Sequence, residues 1–154
     1  MKIDIPIELL DEILNNSTSS IKLKSILYKR LNEIGYINNK PITSFKDACD
    51  VLGITEYDIL KPNYDTKIQA FIKLSTVIEA LNEGWKPDYN DDNQKKYYNW
   101  FKMENGLFVF YATHSYLSGS MSVPSALYLK DVETAIYCKD NFFELYKEYY
   151  GFSR

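Results

Sequence analysis

The sequence predicts an α+β domain, and three observations lead to that prediction. Apolar residues recur at helical spacing over 42–84 and again over 131–151. Between these segments, Asn105-Gly106 separates two aromatic-rich runs, and this dipeptide is the preferred two-residue turn of a β-hairpin. Since 154 residues suit one compact domain, we expect a single domain over 1–154.

Residues 1–40 are predicted to form a helical hairpin. Each of its two helices carries an apolar stripe, and a polar break at 15–19 separates them. Gly35 marks the expected end of the second helix. The stripes consist of Leu9, Leu10, Ile13 and Leu14, and of Ile21, Leu23, Ile26, Leu27, Leu31 and Ile34.

Further helices are predicted over 42–84. Ser44 and Asp47 have capping-box spacing, and Gly53 marks the end of a short helix. Thr55 and Asp58 repeat the cap spacing for one more turn. A longer helix over 65–83, ending at Gly84, has a wide apolar face typical of a core helix. That face consists of Ile68, Phe71, Ile72, Leu74, Val77, Ile78 and Leu81.

A three-stranded antiparallel meander is predicted over 96–129. With a tight turn at Asn105-Gly106, Glu104 faces Leu107, and the numbers of any two facing residues sum to 211. One face then carries the pairs Phe101–Phe110, Met103–Phe108, Asn99–Ala112 and Tyr97–His114. The other carries Trp100–Tyr111, Lys102–Val109 and Tyr98–Thr113, so large rings lie on both faces.

The third strand and the last helix complete the predicted order. Alternating Met121, Val123, Ser125, Leu127 and Leu129 predict a strand in which Pro124 marks an edge or a bulge. The final helix is predicted over 131–151. Its apolar set is Val132, Ala135, Ile136, Phe142, Phe143, Tyr146, Tyr149 and Tyr150.

Aromatic content is the anomaly of the composition. Fourteen Tyr, eight Phe and two Trp make up 16% of the chain, and most lie from Trp85 onward. The net charge of −3 gives no overall positive field for a polyanionic partner. Two cysteines, Cys49 and Cys138, are too few for a disulfide framework, and we expect buried thiols.

The sequence predicts a soluble protein in the cytoplasm. Acidic residues stand in the N-terminal MKIDIPIELLDEIL where a signal peptide carries its apolar segment. The longest fully apolar run, 107–112, is far shorter than the ~20 residues that span a bilayer. We therefore expect no membrane partner.

Four segments resemble an uncharacterised family of small proteins encoded by gut Bacteroidetes, their bacteriophages and integrated elements. They are ITSFKDACDVLGI (42–54), IEALNEGWKPDYN (78–90), KKYYNWF (95–101) and VETAIYCKDNFFELYKEYYGF (132–152). The chain departs from the family at Asn99, where Pro is common, and at 124–126, where a Gly-Ser-Arg-Leu-Cys-like run is usual. The resemblance implies a phage or mobile-element setting, in the host cytoplasm or the virion, and supplies no catalytic residues.

We expect no enzyme, cofactor or metal site from the chemistry of the side chains. His114 is the single histidine, and a His-centred triad needs an acid and a nucleophile beside it. The loop from Asp88 to Asn93 resembles the start of a calcium loop but lacks the central Gly and the closing Glu. A solvated loop is favoured there, with weak cation binding as the alternative.

Two binding functions fit a sheet with rings on both faces, unless helices cover both faces and every ring is core. Binding of another protein, or of a second copy, is favoured because Tyr and Trp are enriched at interfaces. The candidate interface residues are Trp85, Tyr98, Trp100, Lys102 and Tyr111. The alternative is single-stranded nucleic acid, with bases stacked on Trp100 and phosphates bound by Lys95, Lys96 and Lys102.

Overall fold

The protein combines α-helices with a two-stranded antiparallel sheet and is α+β, as predicted. The computed structural model describes residues 42–117 and 123–152. The helical hairpin predicted over 1–40 and the start of the predicted third strand lie outside these ranges. None of the described helices is long and apolar enough to cross a membrane.

Four helices, two strands and one 3₁₀ turn make up the described chain. In order they are α1 (Phe45–Leu52), α2 (Glu56–Ile59), α3 (Thr66–Asn82), β1 (Lys96–Glu104), β2 (Leu107–Tyr116), the 3₁₀ turn (Ser125–Leu127) and α4 (Val132–Tyr149).

The helix boundaries follow the predicted capping residues. The Ser44 hydroxyl accepts a hydrogen bond from the Asp47 N–H, and α1 ends at Gly53, which has a φ of 67°. At the start of α2, the Thr55 N–H donates to the Asp58 carboxylate at 2.7 Å. Local sequence therefore determines where these two helices begin and where α1 ends.

The hairpin turn forms at Asn105-Gly106, as the dipeptide predicts. Both residues have positive φ, 51° and 79°, which is the conformation a type I′ turn requires. The predicted register holds from this turn as far as the Phe101–Phe110 pair.

Beyond Phe101 the predicted register is wrong, because a β-bulge inserts Tyr111 as one extra residue in β2. A one-residue slip moves the following side chains to the opposite face of the sheet. The observed pairs are Trp100–Ala112, Asn99–Thr113, Tyr98–His114, Tyr97–Ser115 and Lys96–Tyr116.

The bulge has a physical reason on the inner face, defined as the face of Tyr97, Asn99, Phe101 and Met103. In the predicted register Asn99 faces Ala112, which has no polar group. In the observed register the Thr113 hydroxyl donates to the Asn99 Oδ1 at 2.9 Å. The slip therefore supplies a hydrogen-bond partner to an amide that is only 4% exposed.

The predicted three-stranded meander is not confirmed, because 123–129 forms no strand. The Leu127 N–H donates to the Pro124 carbonyl at 2.8 Å, which closes the 3₁₀ turn. Pro124 has no N–H to offer a ladder, and pairing is reduced to one antiparallel bridge between Tyr97 and Leu129. The Asn82 side chain anchors this segment by donating to the Tyr128 carbonyl at 2.8 Å.

The core lies where α4 packs against the inner face of the sheet on one side and against α3 on the other. The Phe101 ring lies 4.7 Å from the Tyr146 ring of α4, measured between centroids. On the other side of α4, the Tyr149 ring contacts Phe71 of α3 at 5.8 Å. The buried apolar side chains of this core include Leu74, Val77, Ile78, Leu129, Ala135 and Cys138.

Replacing Asn99 by Ala tests the polar connection within this core. The Asn99 Nδ2 donates to the Ala135 carbonyl at 2.8 Å and to the Tyr146 hydroxyl at 3.3 Å. Loss of these bonds leaves buried polar groups unpaired, so we expect Asn99→Ala to lower the free energy of unfolding by about 2–3 kcal/mol. Urea denaturation measures the change.

The matched control is Asn141→Ala, since Asn141 is exposed and donates one bond, to the Tyr137 carbonyl. We expect that change to stay within about 0.5 kcal/mol. Equal destabilisation by the two substitutions would contradict the role assigned to Asn99.

Candidate interaction surface

The outer face of the hairpin carries an aromatic cluster centred on His114. This face is defined by Lys96, Tyr98, Trp100 and Lys102 of β1 with the residues paired to them. The imidazole of His114 lies 5.9 Å from the Tyr98 ring, 5.2 Å from Trp100 and 6.5 Å from Tyr111. The bulge creates this cluster, since the predicted register puts His114 on the inner face.

The end of the outer face farthest from the turn is covered. Tyr98 is only 3% exposed, and the Tyr128 ring packs edge-on against it at 5.9 Å. The Tyr89 ring in turn packs edge-on against Tyr128 at 6.4 Å. Tyr98 therefore forms the floor of the cluster.

Lys96 is fully buried at the same end. Its Nζ donates to the carbonyl oxygens of Gln94 at 3.0 Å and Asp91 at 3.5 Å, and lies 5.6 Å from the centre of the Tyr89 ring. These contacts hold the loop that precedes β1 against the sheet. The ammonium group is consequently out of reach of a phosphate.

The end of the outer face nearest the turn is open. Trp100 is 47% exposed and Tyr111 is 59% exposed, while Leu107 beside the turn is 66% exposed. Lys102 lies between these groups with its Nζ 5.1 Å from the centre of the Tyr111 ring. Its charge is matched by Glu104, whose carboxylate lies 2.8 Å from the Nζ.

Of the candidates predicted from sequence, the structure brings together Tyr98, Trp100, Lys102 and Tyr111. Trp85 makes none of the ring contacts that the structure describes on the outer face. It is half-buried after α3, where its backbone N–H donates to the Asn82 carbonyl at 2.9 Å.

Two of the lysines predicted to bind a nucleic acid are not available for a phosphate: Lys96 is buried, and Lys102 is paired with Glu104. Only Lys95 of that set is exposed without an acidic partner in the described chain. Sequence reasoning missed the burial of Lys96 because it depends on the fold of the preceding loop. It also missed the place of His114, because the bulge leaves no clear signal in a run of aromatic residues.

The imidazole of His114 has the environment of a ring packed among other rings. Its Nε2 is buried and has no hydrogen-bond partner in the described part of the chain. A general base needs an acid to orient it and a reacting group within reach. The contacts that the structure describes around the imidazole are made by aromatic rings.

The acidic loop at 88–93 directs two of its carboxylates to its own backbone. The Asp88 Oδ1 accepts from the Asn90 N–H, and the Asp91 Oδ1 accepts from the Asn93 N–H, both at 2.9 Å. Across the described residues, no group of three His, Cys, Asp or Glu side chains is placed to hold a metal ion.

Comparisons with family models, with curated proteins and with solved structures find no match for this chain.

Both cysteines are buried free thiols, and burial raises the pKa of each. The pKa is about 11 for Cys49 and about 12 for Cys138, against an ordinary value of 9.0. Because the thiolate is the reactive form, we expect neither thiol to react with a disulfide reagent at pH 8 until the chain unfolds.

The same pKa shifts predict that stability falls as the pH rises above about 9, because the unfolded chain then loses thiol protons that the folded chain keeps.

The reactivity of the two thiols is measured by the absorbance of the thiolate that the disulfide reagent releases, with the denatured protein as the control. Rapid modification of the folded chain at pH 8 would show that a thiol is accessible.

Proposed function

We propose that this chain acts by binding another protein through the open end of the outer face, and not by catalysis. The single observation that carries the proposal is the exposure of Trp100 and Tyr111 on a paired hairpin. Large rings held in place by β-pairing bury much area with little loss of side-chain freedom. Such rings are the residues most often found as interface hot spots.

The chemistry of the surface defines the kind of partner. Lys102 and Glu104 neutralise each other, so the open end presents rings and an aliphatic side chain with no net charge. We infer a partner with an apolar pocket for Trp100 and a hydrogen-bond acceptor for the Tyr111 hydroxyl. A partner with a charged surface would gain little from binding to this uncharged site.

The resemblance to small proteins of phages and mobile elements gives this proposal a biological setting. In that setting the chain is an accessory protein of the host cytoplasm, or of the virion. The bound protein is then a component of host defence, which the chain inhibits, or another virion component.

Single-stranded nucleic acid is the competing ligand, and the charges disfavour it. Affinity for a strand comes largely from several phosphate contacts, each made by an available cation. Lys96 is buried, Lys102 is paired with Glu104, and Lys130 is paired with Glu83. Exposed rings remain for base stacking, but of the candidate lysines only Lys95 is left for a phosphate contact.

The first test removes the two exposed rings. We expect the variant carrying Trp100→Ala and Tyr111→Ala to lose the partner captured by the full chain from an extract of a host bacterium. With that partner purified, each single substitution should cost about 2 kcal/mol of binding energy, or a Kd about thirtyfold weaker, by calorimetry.

The matched control is Tyr57→Ala, because Tyr57 is a tyrosine of α2 with 89% of its surface exposed. It should bind like the unmodified chain. Capture that survives loss of both rings in a folded double variant would show that the partner binds elsewhere. Unfolding of each single variant would instead identify the rings as part of the core, against the proposal.

The second test separates the competing ligands. We expect no change in fluorescence anisotropy when the chain is added to labelled single-stranded oligonucleotides at about 50 mM salt, where phosphate contacts are strong. Binding that weakens steeply with added salt, and that Lys95→Ala reduces, would favour nucleic acid over protein as the ligand.

A further inference from the structure

His114 lies between the two rings that carry the proposed function. The centre of its imidazole is 5.2 Å from the Trp100 ring and 6.5 Å from the Tyr111 ring, and it stacks on Tyr98 at 5.9 Å. Trp100 and Tyr111 are each about half exposed. A partner that covers these two rings therefore also changes the surroundings of the imidazole.

His114 is also the single histidine of the chain. Histidine is the side chain whose charge ordinarily changes between about pH 5 and 8, while carboxylates, lysines and tyrosines ordinarily keep theirs over that range. The pKa of each cysteine thiol lies far above it. Mild acidification is therefore expected to change the charge of one side chain, and that side chain belongs to the proposed interface.

The titratable and charged groups around the cluster come from both strands and from the segments that cover its floor. In the described part of the chain they are Lys96, Tyr98, Lys102 and Glu104 of β1, Tyr111 and Tyr116 of β2, and Tyr89 and Tyr128. The tyrosines are ordinarily uncharged, and Lys102 is matched by Glu104. Residues 118–122, which directly follow β2, contain no titratable side chain. A proton on His114 therefore adds a net positive charge to this face.

The neutral imidazole is the form that suits a closed interface. Its Nε2 is already buried, and a charge out of contact with water is costly unless it is paired. A partner that closes an apolar pocket over Trp100 removes further water from the ring beside it, so binding raises the cost of the charged form. Aromatic rings attract a cation, but the rings around His114 do so in the free chain as well. That attraction therefore does not favour the complex.

We propose that the outer face is a pH-sensitive switch, which binds its protein partner with His114 neutral and releases it when His114 is protonated. The inference rests on the proposed function for the existence of that partner. Protonation of a histidine within an interface is a general means of responding to mild acid. We expect tight binding at about pH 7.5 and release at about pH 5.5.

The first measurement needs no partner. The chain has two tryptophans, so in a Trp85→Phe variant the fluorescence of Trp100 is observed alone. Iodide, an anionic quencher, is concentrated near a positive charge, whereas acrylamide is neutral and is not. Between about pH 7.5 and 5.5, we expect the iodide quenching constant to rise about twofold relative to that of acrylamide.

The controls locate the charge. His114→Gln removes the titrating ring and should abolish the rise. Adding Ser115→His to that variant moves the histidine by one residue, to an exposed position paired with Tyr97 of the inner face. The chain then gains the same charge in acid, but the quenching ratio of Trp100 should stay constant. If His114→Gln fails to fold by circular dichroism, His114→Phe keeps a ring and makes the same test.

The second measurement uses the partner after its capture and purification. For the unmodified chain, calorimetry should give a Kd at least about tenfold weaker at about pH 5.5 than at about pH 7.5. In His114→Gln the ratio of the two Kd values should fall towards one. The comparison of ratios separates His114 from any group of the partner that titrates over the same range.

Two results would overturn the switch. One is an iodide quenching ratio that is the same at both pH values, or that changes equally in His114→Gln. The other is a ratio of Kd values that His114→Gln leaves unaltered. Failure of the proposed function is recognised at about pH 7.5 alone, where the chain captures no protein, or the captured protein stays bound to the variant that lacks both Trp100 and Tyr111.

Discussion

The buried amide of Asn99 is the interaction on which the arrangement of sheet and helix depends. It accepts from Thr113 of β2 and donates to the Ala135 carbonyl and the Tyr146 hydroxyl of α4. An amide in a low-dielectric core is costly unless its donors and acceptor are all satisfied. These bonds therefore specify one register of β2 and one position of α4, where apolar contacts alone tolerate several.

The outer face follows from this constraint on the inner face. Bringing Thr113 to Asn99 requires one extra residue in β2, and that residue is Tyr111. The same slip moves His114 beneath Trp100 and beside the floor formed by Tyr98. A hydrogen bond in the core thus determines which rings meet solvent, and with them the surface to which we assign binding.

The charges nearby shape that surface as much as the rings do. Lys96 is held by loop carbonyls and Lys102 by Glu104, so these two lysines form no open cationic patch. Ion pairs of this kind add little to stability. In the interface that we propose, their effect is on specificity, because they leave the rings as the main feature that a partner would meet.

The sequence by itself determined the α+β class, the start and end of α1, and the turn at Asn105-Gly106, because capping and turn preferences act within a few residues. It also indicated four of the residues that meet on the outer face. Tertiary structure alone decided the bulge, the loss of the third strand, and which of those side chains remain exposed. The reason is range: Asn99 bonds to Ala135, 36 residues away, and Asn82 to Tyr128, 46 residues away. Such pairings satisfy buried polar groups across the folded chain, and local patterns contain no record of them.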